Sequence, residues 1–247
     1  MRFKLFAICF LLSSVLFGSQ VVELSGDKSY PPYSYEENGV AKGVYVDILK
    51  SAFSQLKDYD LKLNMMAYKR AISMTKSGKT IGFFPPYYSE KRRSWTKFSE
   101  PILSEKSIVF AKEGTLNAHK NYPKDFYGLT ACLNRGFGTA VLGGDEFAKA
   151  VLEGKIKLIE ANDNKACLNR VSKDKADFYI NDQLIDTSLF NNIKRGQKAK
   201  ENFGHIGFTL KDKNYPFLKD LEKKFNSVIR SMKESGEIEN ILNKYKK

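Results

Sequence analysis

Tyr87-Tyr88-Ser89-Glu90-Lys91-Arg92-Arg93-Ser94-Trp95-Thr96-Lys97-Phe98-Ser99-Glu100-Pro101 crowds aromatic rings, cations and small hydroxyls into a loop directly after an apolar run containing Ile81, Phe83 and Phe84. The apolar run predicts the end of a buried strand, and Pro85-Pro86 stops it because neither proline can donate to a ladder. Ser89 then offers a hydroxyl to cap a short helical turn, which carries Arg92 beside the strand end. Ligands of open α/β sheets settle outside the carboxyl ends of strands, and a guanidinium there holds a carboxylate through two parallel hydrogen bonds. The competing reading is a solvated basic surface formed by Lys91, Arg92 and Arg93.

Outward from this loop the chain alternates strand and helix signals. Val21 to Leu24 predicts a strand, Tyr45, Ile48, Leu49, Ala52, Phe53 and Leu56 recur at helical spacing, and Leu61, Leu63 and Met65 alternate with polar residues. Tyr68 to Ser77 predicts a second helix stopped by Gly78. Strand, helix, strand, helix, strand builds a parallel sheet, so the expected class is α/β. A second unit spans about 115–202, with strands at Leu129–Leu133, Ile156–Ile159 and Asp177–Ile180 and helices at Asp145–Glu153 and Asn164–Ser172. An amphipathic tail from Pro216, interrupted at Gly236, is expected to pack back on the first unit.

Ser89-Glu90-Lys91-Arg92, followed six residues after the arginine by Phe98-Ser99-Glu100-Pro101, resembles the Thr-Pro-Glu-Arg and Phe-Ser-Asp-Pro signature of the bacterial extracellular solute-binding proteins, family 3, the periplasmic polar amino acid-binding proteins of ABC transporters. The opening Tyr30-Pro31-Pro32-Tyr33-Ser34-Tyr35, Asn38-Gly39 and Gly43-Val44-Tyr45-Val46-Asp47-Ile48 is similar to that family's first motif. So are Lys175 to Asp182 and the closing run from Asn214 through Gly236 to Tyr245. The resemblance implies a periplasmic-binding-protein type II fold, two α/β lobes joined by a two-strand hinge. Lobe 1 is expected over 21–110 plus 207–247 and lobe 2 over 111–206. The crossings are expected at Ser107–Ala111 and Phe203–Thr209, where glycines give a hinge its backbone latitude.

The same resemblance implies a site. Arg92 would hold a ligand carboxylate, Asp182 its α-ammonium, and Tyr30 would stack on it, with Tyr87 and Phe84 beside them. The turn Gly136-Phe137-Gly138-Thr139 would supply a second carboxylate contact. Arg70 stands where relatives have an arginine near an aromatic wall. Read without the family, Asp182 also fits a helix cap, Arg70 a surface charge, and Tyr33 and Tyr35 packing under their loop. Tyr87, Pro85 and Pro86 occupy positions where relatives place small donors, so a more aromatic pocket is expected. The implied partners are a small zwitterionic or anionic solute, foremost an amino acid, and an inner-membrane ABC permease or a sensory receptor. Because the fold also hosts a dehydratase and the binding-like lobe of some lytic transglycosylases, an enzyme is the alternative; its acid or base would come from Glu90, Glu100 or Asp182.

Composition narrows the remaining classes. Arg2 and Lys4, the apolar run Leu5 to Leu16 and the small residues Gly18 and Ser19 predict a secretory signal peptide over 1–20 and export to the periplasm. Its loss removes two cations and takes the net charge from +13 to +11. The lysines are scattered rather than collected in one tract, which argues against nucleic acid and for solubility and attraction of anions. His119 and His205 stand far apart in sequence, so neither a metal centre nor a cofactor is expected. Once Cys9 leaves with the leader, Cys132 and Cys167 remain in an oxidising compartment and are expected to form a disulfide. A monomer is expected.

Overall fold

The computed structural model describes residues 18–135 and 137–245. Nearly all of the expected signal peptide, and Gly136, lie outside the described residues.

The first sheet is built on β1 (Gln20–Asp27), which pairs in parallel with β5 (Tyr59–Met66) on one side and β6 (Gly82–Phe84) on the other. The register Asp27↔Met66 and Gly26↔Phe84 brings the carboxyl ends of all three strands to one edge. β7 (Thr96–Phe98) and β13 (Gly207–Thr209) complete the sheet in the order β5-β1-β6-β13-β7. A small meander, β2 (Ser29–Tyr30), β3 (Ser34–Glu37) and β4 (Val40–Lys42), follows β1.

Helix α1 (Val44–Ser54) buries Val44, Tyr45, Ile48, Leu49, Ala52 and Phe53 as its spacing predicts. The tail supplies α7 (Leu218–Glu234), whose Leu221, Phe225, Ile229 and Met232 form one buried stripe, and α8 (Glu237–Asn243) after Gly236 at φ 77°. Both helices return to α1, with the Phe53 and Phe225 rings 5.9 Å apart, so one core joins the two ends of the chain. On the other flank, α2 (Tyr68–Ser77) ends at Gly78 in the left-handed conformation, as expected.

The second sheet has the order β10-β9-β11-β8-β12, from β8 (Leu103–Lys112), β9 (Thr130–Asn134), β10 (Lys157–Ala161), β11 (Phe178–Asp182) and β12 (Ile193–Gly204). Alternation along β8 feeds two cores: Val109 and Ala111 meet Phe126, Phe147 and Phe178 on one face, Ile108 and Phe110 meet Cys132, Cys167 and Tyr179 on the other. Between β8 and β9 lies the short helix α4 (Glu113–Ala118). Helix α5 (Thr139–Leu152) starts earlier than its apolar pattern suggests, because Gly144 at φ 84° breaks it and leaves a detached first turn. Helix α6 (Asn164–Ser172) begins on Asp163, whose carboxylate accepts the Ala166 N–H.

The expected disulfide is present: Cys132 of β9 joins Cys167 of α6 across a Cα separation of 5.7 Å, closing a loop 35 residues apart in sequence. Loop closure of that size stabilises by roughly 4 kcal/mol in the chain-entropy account.

The outward crossing lies earlier than expected. Leu103 already pairs with Gly204, and Ser107 to Ala111 is interior sheet, paired with Asp182 to Phe178. The chain passes between the sheets over Ser99 to Ile102, where the Ser99 N–H reaches the Ile206 carbonyl at 2.9 Å and the Ile102 N–H the Gly204 carbonyl at 2.8 Å. An apolar run announces a strand but not the sheet that will take it, which is why sequence placed the crossing too late. Gly204 also has a role other than latitude: a Cβ there would stand 1.6 Å from the Tyr45 hydroxyl oxygen.

Candidate functional site

A cavity of 310 Å³ opens between the two lobes. The first sheet sets its near wall, because the parallel strands all end there: Asp27 closes β1, Tyr68 opens α2 just past β5, and Pro85, Tyr87 and Arg92 follow β6. Tyr30 of β2 completes that wall. The second lobe answers in the same way, with Phe137 and Gly138 after β9, Val141 and Leu142 on the detached turn of α5, and Asn181 at the end of β11. Both halves therefore offer the carboxyl ends of parallel strands, the usual ligand position in open α/β sheets.

Arg92 sits as the sequence suggests, on α3 (Glu90–Arg93), whose cap Ser89 accepts the Arg92 N–H. Its Nη1 donates to the Tyr87 carbonyl at 2.8 Å and its guanidinium lies 5.9 Å from the Tyr68 ring centre. Trp95, immediately beyond, donates its backbone N–H to the Arg92 carbonyl at 3.0 Å and stacks on Phe83 with ring centres 5.7 Å apart. Asp27 is the acidic residue on the same wall; its Oδ1 accepts the Ser29 N–H at 3.0 Å, and burial raises its pKa. The Tyr68 phenol, pushed up to about 12 chiefly by burial, feels both charges, Arg92 lowering and Asp27 raising it.

Tyr30, Tyr87 and Phe137 line the cavity. Asp182 does not. It is 5% exposed, accepts the Leu184 N–H at 2.7 Å and a hydrogen bond from the Tyr33 hydroxyl, and has a pKa pushed up to about 6 by burial. Asp182 caps no helix either: β11 runs on through a turn to β12, and its carboxylate closes that turn, while its neighbour Asn181 reaches the cavity. Phe84 is fully buried in the first core, and Arg70 is exposed on α2 away from the cavity; the aromatic wall near it is Tyr68. Tyr33 is core, 1% exposed and stacked on Tyr30 at 5.1 Å.

Sequence reasoning missed Glu105. This β8 side chain is 1% exposed and accepts from the hydroxyls of Tyr30 at 2.7 Å, Tyr87 at 2.6 Å and Tyr45. The setting Ser104-Glu105-Lys106-Ser107 reads as ordinary polar surface, so nothing short of the fold marks it. Asp27 could have been found from its place at the end of the first strand. Ser104, Lys106 and Ile108, which alternate with Glu105, face a larger groove of 710 Å³ on the other side of β8; no aromatic ring lines it. His205 takes no part in the cavity and bonds the Ser99 carbonyl at 2.7 Å through Nδ1.

Two α/β lobes facing one cavity, with aromatic walls and one acid and one guanidinium, define a two-lobed solute-binding protein. The chain belongs to the bacterial extracellular solute-binding proteins, family 3, whose model matches residues 22–247. No curated protein matches it. Solved structures share the fold at low identity. The second substrate binding domain of a putative amino acid ABC transporter from Streptococcus pneumoniae is 18% identical, over 92% of this chain and 100% of that one, with a TM-score of 0.70. A histidine kinase sensor domain with similarity to periplasmic binding proteins is 18% identical, over 92% and 96%, at 0.66. An ancestral amino acid-binding protein, a precursor of cyclohexadienyl dehydratase, is 16% identical, over 92% and 96%, at 0.64. The fold is that of the periplasmic binding proteins, and the family is extracytoplasmic. Among the described residues no helix is long and apolar enough to cross a membrane.

Proposed function

We propose that this chain captures a zwitterionic solute, foremost a polar or aromatic amino acid, in the inter-lobe cavity in the periplasm and delivers it to an ABC permease. The observation that carries this reading is that Asp27 and Arg92 are the charged residues lining a cavity otherwise walled by rings and small groups. Arg92 takes the carboxylate through its fork, Asp27 the ammonium, and Tyr68, Tyr87 and Phe137 the remainder of the solute. Because the walls belong to different lobes, solute binding favours the closed arrangement, and only solute contacts made across the gap shift that balance. Strand pairing supports a division into 18–102 plus 205–245 and 103–204, with the single chain as the working unit. Capture needs no chemistry, and the two buried acids with raised pKa, Glu105 and Asp182, do not line the cavity.

A thermal-shift screen of amino acids, small carboxylates and polyamines tests the reading, since a ligand of the native state raises Tm by mass action. Zwitterions are expected to stabilise most; stabilisation by polyamines alone, or by nothing in the set, would sink the proposal. With the best solute, Asp27→Asn is expected to weaken amine-bearing ligands by about 1.5–3 kcal/mol, roughly tenfold to a hundredfold, and analogues lacking the amine far less. Asp182→Asn should leave that preference unchanged. Equal losses for both ligand types in Asp27→Asn, read by calorimetry, would remove Asp27 from the ammonium role.

A further inference from the structure

Four oxygen–oxygen contacts join the Glu105 cluster: Tyr30 to Glu105 Oε2 at 2.7 Å, Tyr87 to the same oxygen at 2.6 Å, Tyr45 to Oε1, and Tyr30 to Tyr87 at 2.9 Å. A hydrogen bond needs one proton per contact, and the three phenols bring three. With Glu105 ionised, one contact is left as two oxygen lone pairs facing each other. A proton on Glu105 supplies the fourth: Oε2–H donates to one of Tyr30 and Tyr87, that hydroxyl to the other, and the last back to Oε2, while Tyr45 donates to Oε1.

The surroundings favour the neutral acid. The hydrogen bonds Glu105 receives come from phenols of β2, α1 and the loop after β6, not from a cation. On its face of the second sheet, β12 offers the uncharged Asn202 directly opposite, committed to the Val141 carbonyl at 2.9 Å, and one pair further on Lys200, opposite Ser107; β11 offers Asp182, whose charge opposes ionisation. Tyr33 and Tyr68 stand next to the cluster, and Arg92, the nearby cation of the cavity wall, is engaged with the Tyr87 carbonyl.

We propose that Glu105 is a proton-bearing positioning residue: its proton holds Tyr30 and Tyr87, two walls of the cavity, in contact with each other, so that capture of the solute is linked to uptake of one proton on β8, just past the inter-lobe crossing. Loss of the proton leaves the 2.9 Å Tyr30–Tyr87 contact without a hydrogen, and the two rings separate. The cavity is then best formed below neutral pH. Burial agrees, pushing the Glu105 pKa up to about 7 against the hydrogen bonds that lower it. The solute arm below rests on the capture reading proposed above; the other arms do not.

In solute-free wild-type protein carrying 13C only at glutamate carboxyls, one glutamate is expected to titrate near pH 7, with the ring signals of two tyrosines moving at the same midpoint. If every glutamate titrates in the ordinary range, the proton is absent and the proposal falls; if one titrates near neutral while the tyrosines stay still, the positioning role falls. Glu105→Gln keeps a donor and an acceptor in the neutral shape, and should fold, lose that titration and lose the tyrosine shifts. Because the folded pKa lies above the ordinary carboxyl value of 4.5, the contribution of Glu105 is complete below about 4.5 and lost as pH rises through about 7. The Tm of wild type should therefore fall relative to Glu105→Gln over that interval, and parallel curves would count against the assignment. Once a solute is in hand, its affinity should drop several-fold from about pH 5.5 to about pH 8 in wild type and much less in Glu105→Gln, with the Asp182 contribution common to both. Identical slopes would overturn the link to capture while leaving capture itself standing.

Discussion

Replacing Arg92 by alanine is expected to weaken solute binding by on the order of 2–5 kcal/mol, a loss of thirtyfold or more, with little change in Tm. The loss is large because the solute carboxylate would remain inside a cavity walled by Tyr68, Tyr87 and Phe137 with no fork to meet it. Arg92→Lys should recover only part, since an ammonium supplies a point charge where the guanidinium supplies two parallel donors and also lies over the Tyr68 ring at 5.9 Å. Calorimetry with the best solute from the screen measures both variants. Wild-type affinity in Arg92→Ala would move the carboxylate to another part of the cavity.

Gly204→Ala is expected to destabilise the fold by about 3 kcal/mol, on the order of 10 °C in Tm. The added methyl would lie 1.6 Å from the Tyr45 hydroxyl oxygen, 2.5 Å from its Cζ and 3.0 Å from Glu105 Oε1. Tyr45 is fully buried in the first core and has no open space to retreat into. Adding Tyr45→Phe should return part of the stability, because it deletes the nearest atom while leaving the ring. A denaturation cycle over the two single variants and the double reads this directly; additive losses would mean that the methyl is accommodated by backbone movement rather than blocked by the phenol.

Periodicity made the layered fold legible. The stripes of α1 and α7, the stop at Gly78 and the cap at Ser89 are local matters, settled by spacing and by one residue's chemistry, and they stand where the sequence puts them. Arg92 was legible for the same reason: its turn is fixed by Pro85-Pro86 and Ser89, all within eight residues of it. What escaped depends on pairing between distant segments. The crossing moved because Leu103 finds Gly204, a partner about a hundred residues away. Asn181 lines the cavity where Asp182 was expected, because neighbours on a strand point to opposite faces and one residue of register decides which meets the cavity. Glu105 needed three tyrosines drawn from positions 30, 45 and 87, a convergence that no single stretch displays.

The Arg92 turn has a consequence for how the molecule can be observed. The chain has one tryptophan among 13 tyrosines, and that indole, Trp95, is tied by its backbone to Arg92 and by its ring to Phe83. Light absorbed at the red edge of the aromatic band is therefore collected at a single place, three residues from the guanidinium proposed to meet the solute. Emission from the unmodified chain reports the polarity and rigidity of that turn, with no indole in the second lobe to dilute it, so a change at the near wall can be followed optically without attaching a dye.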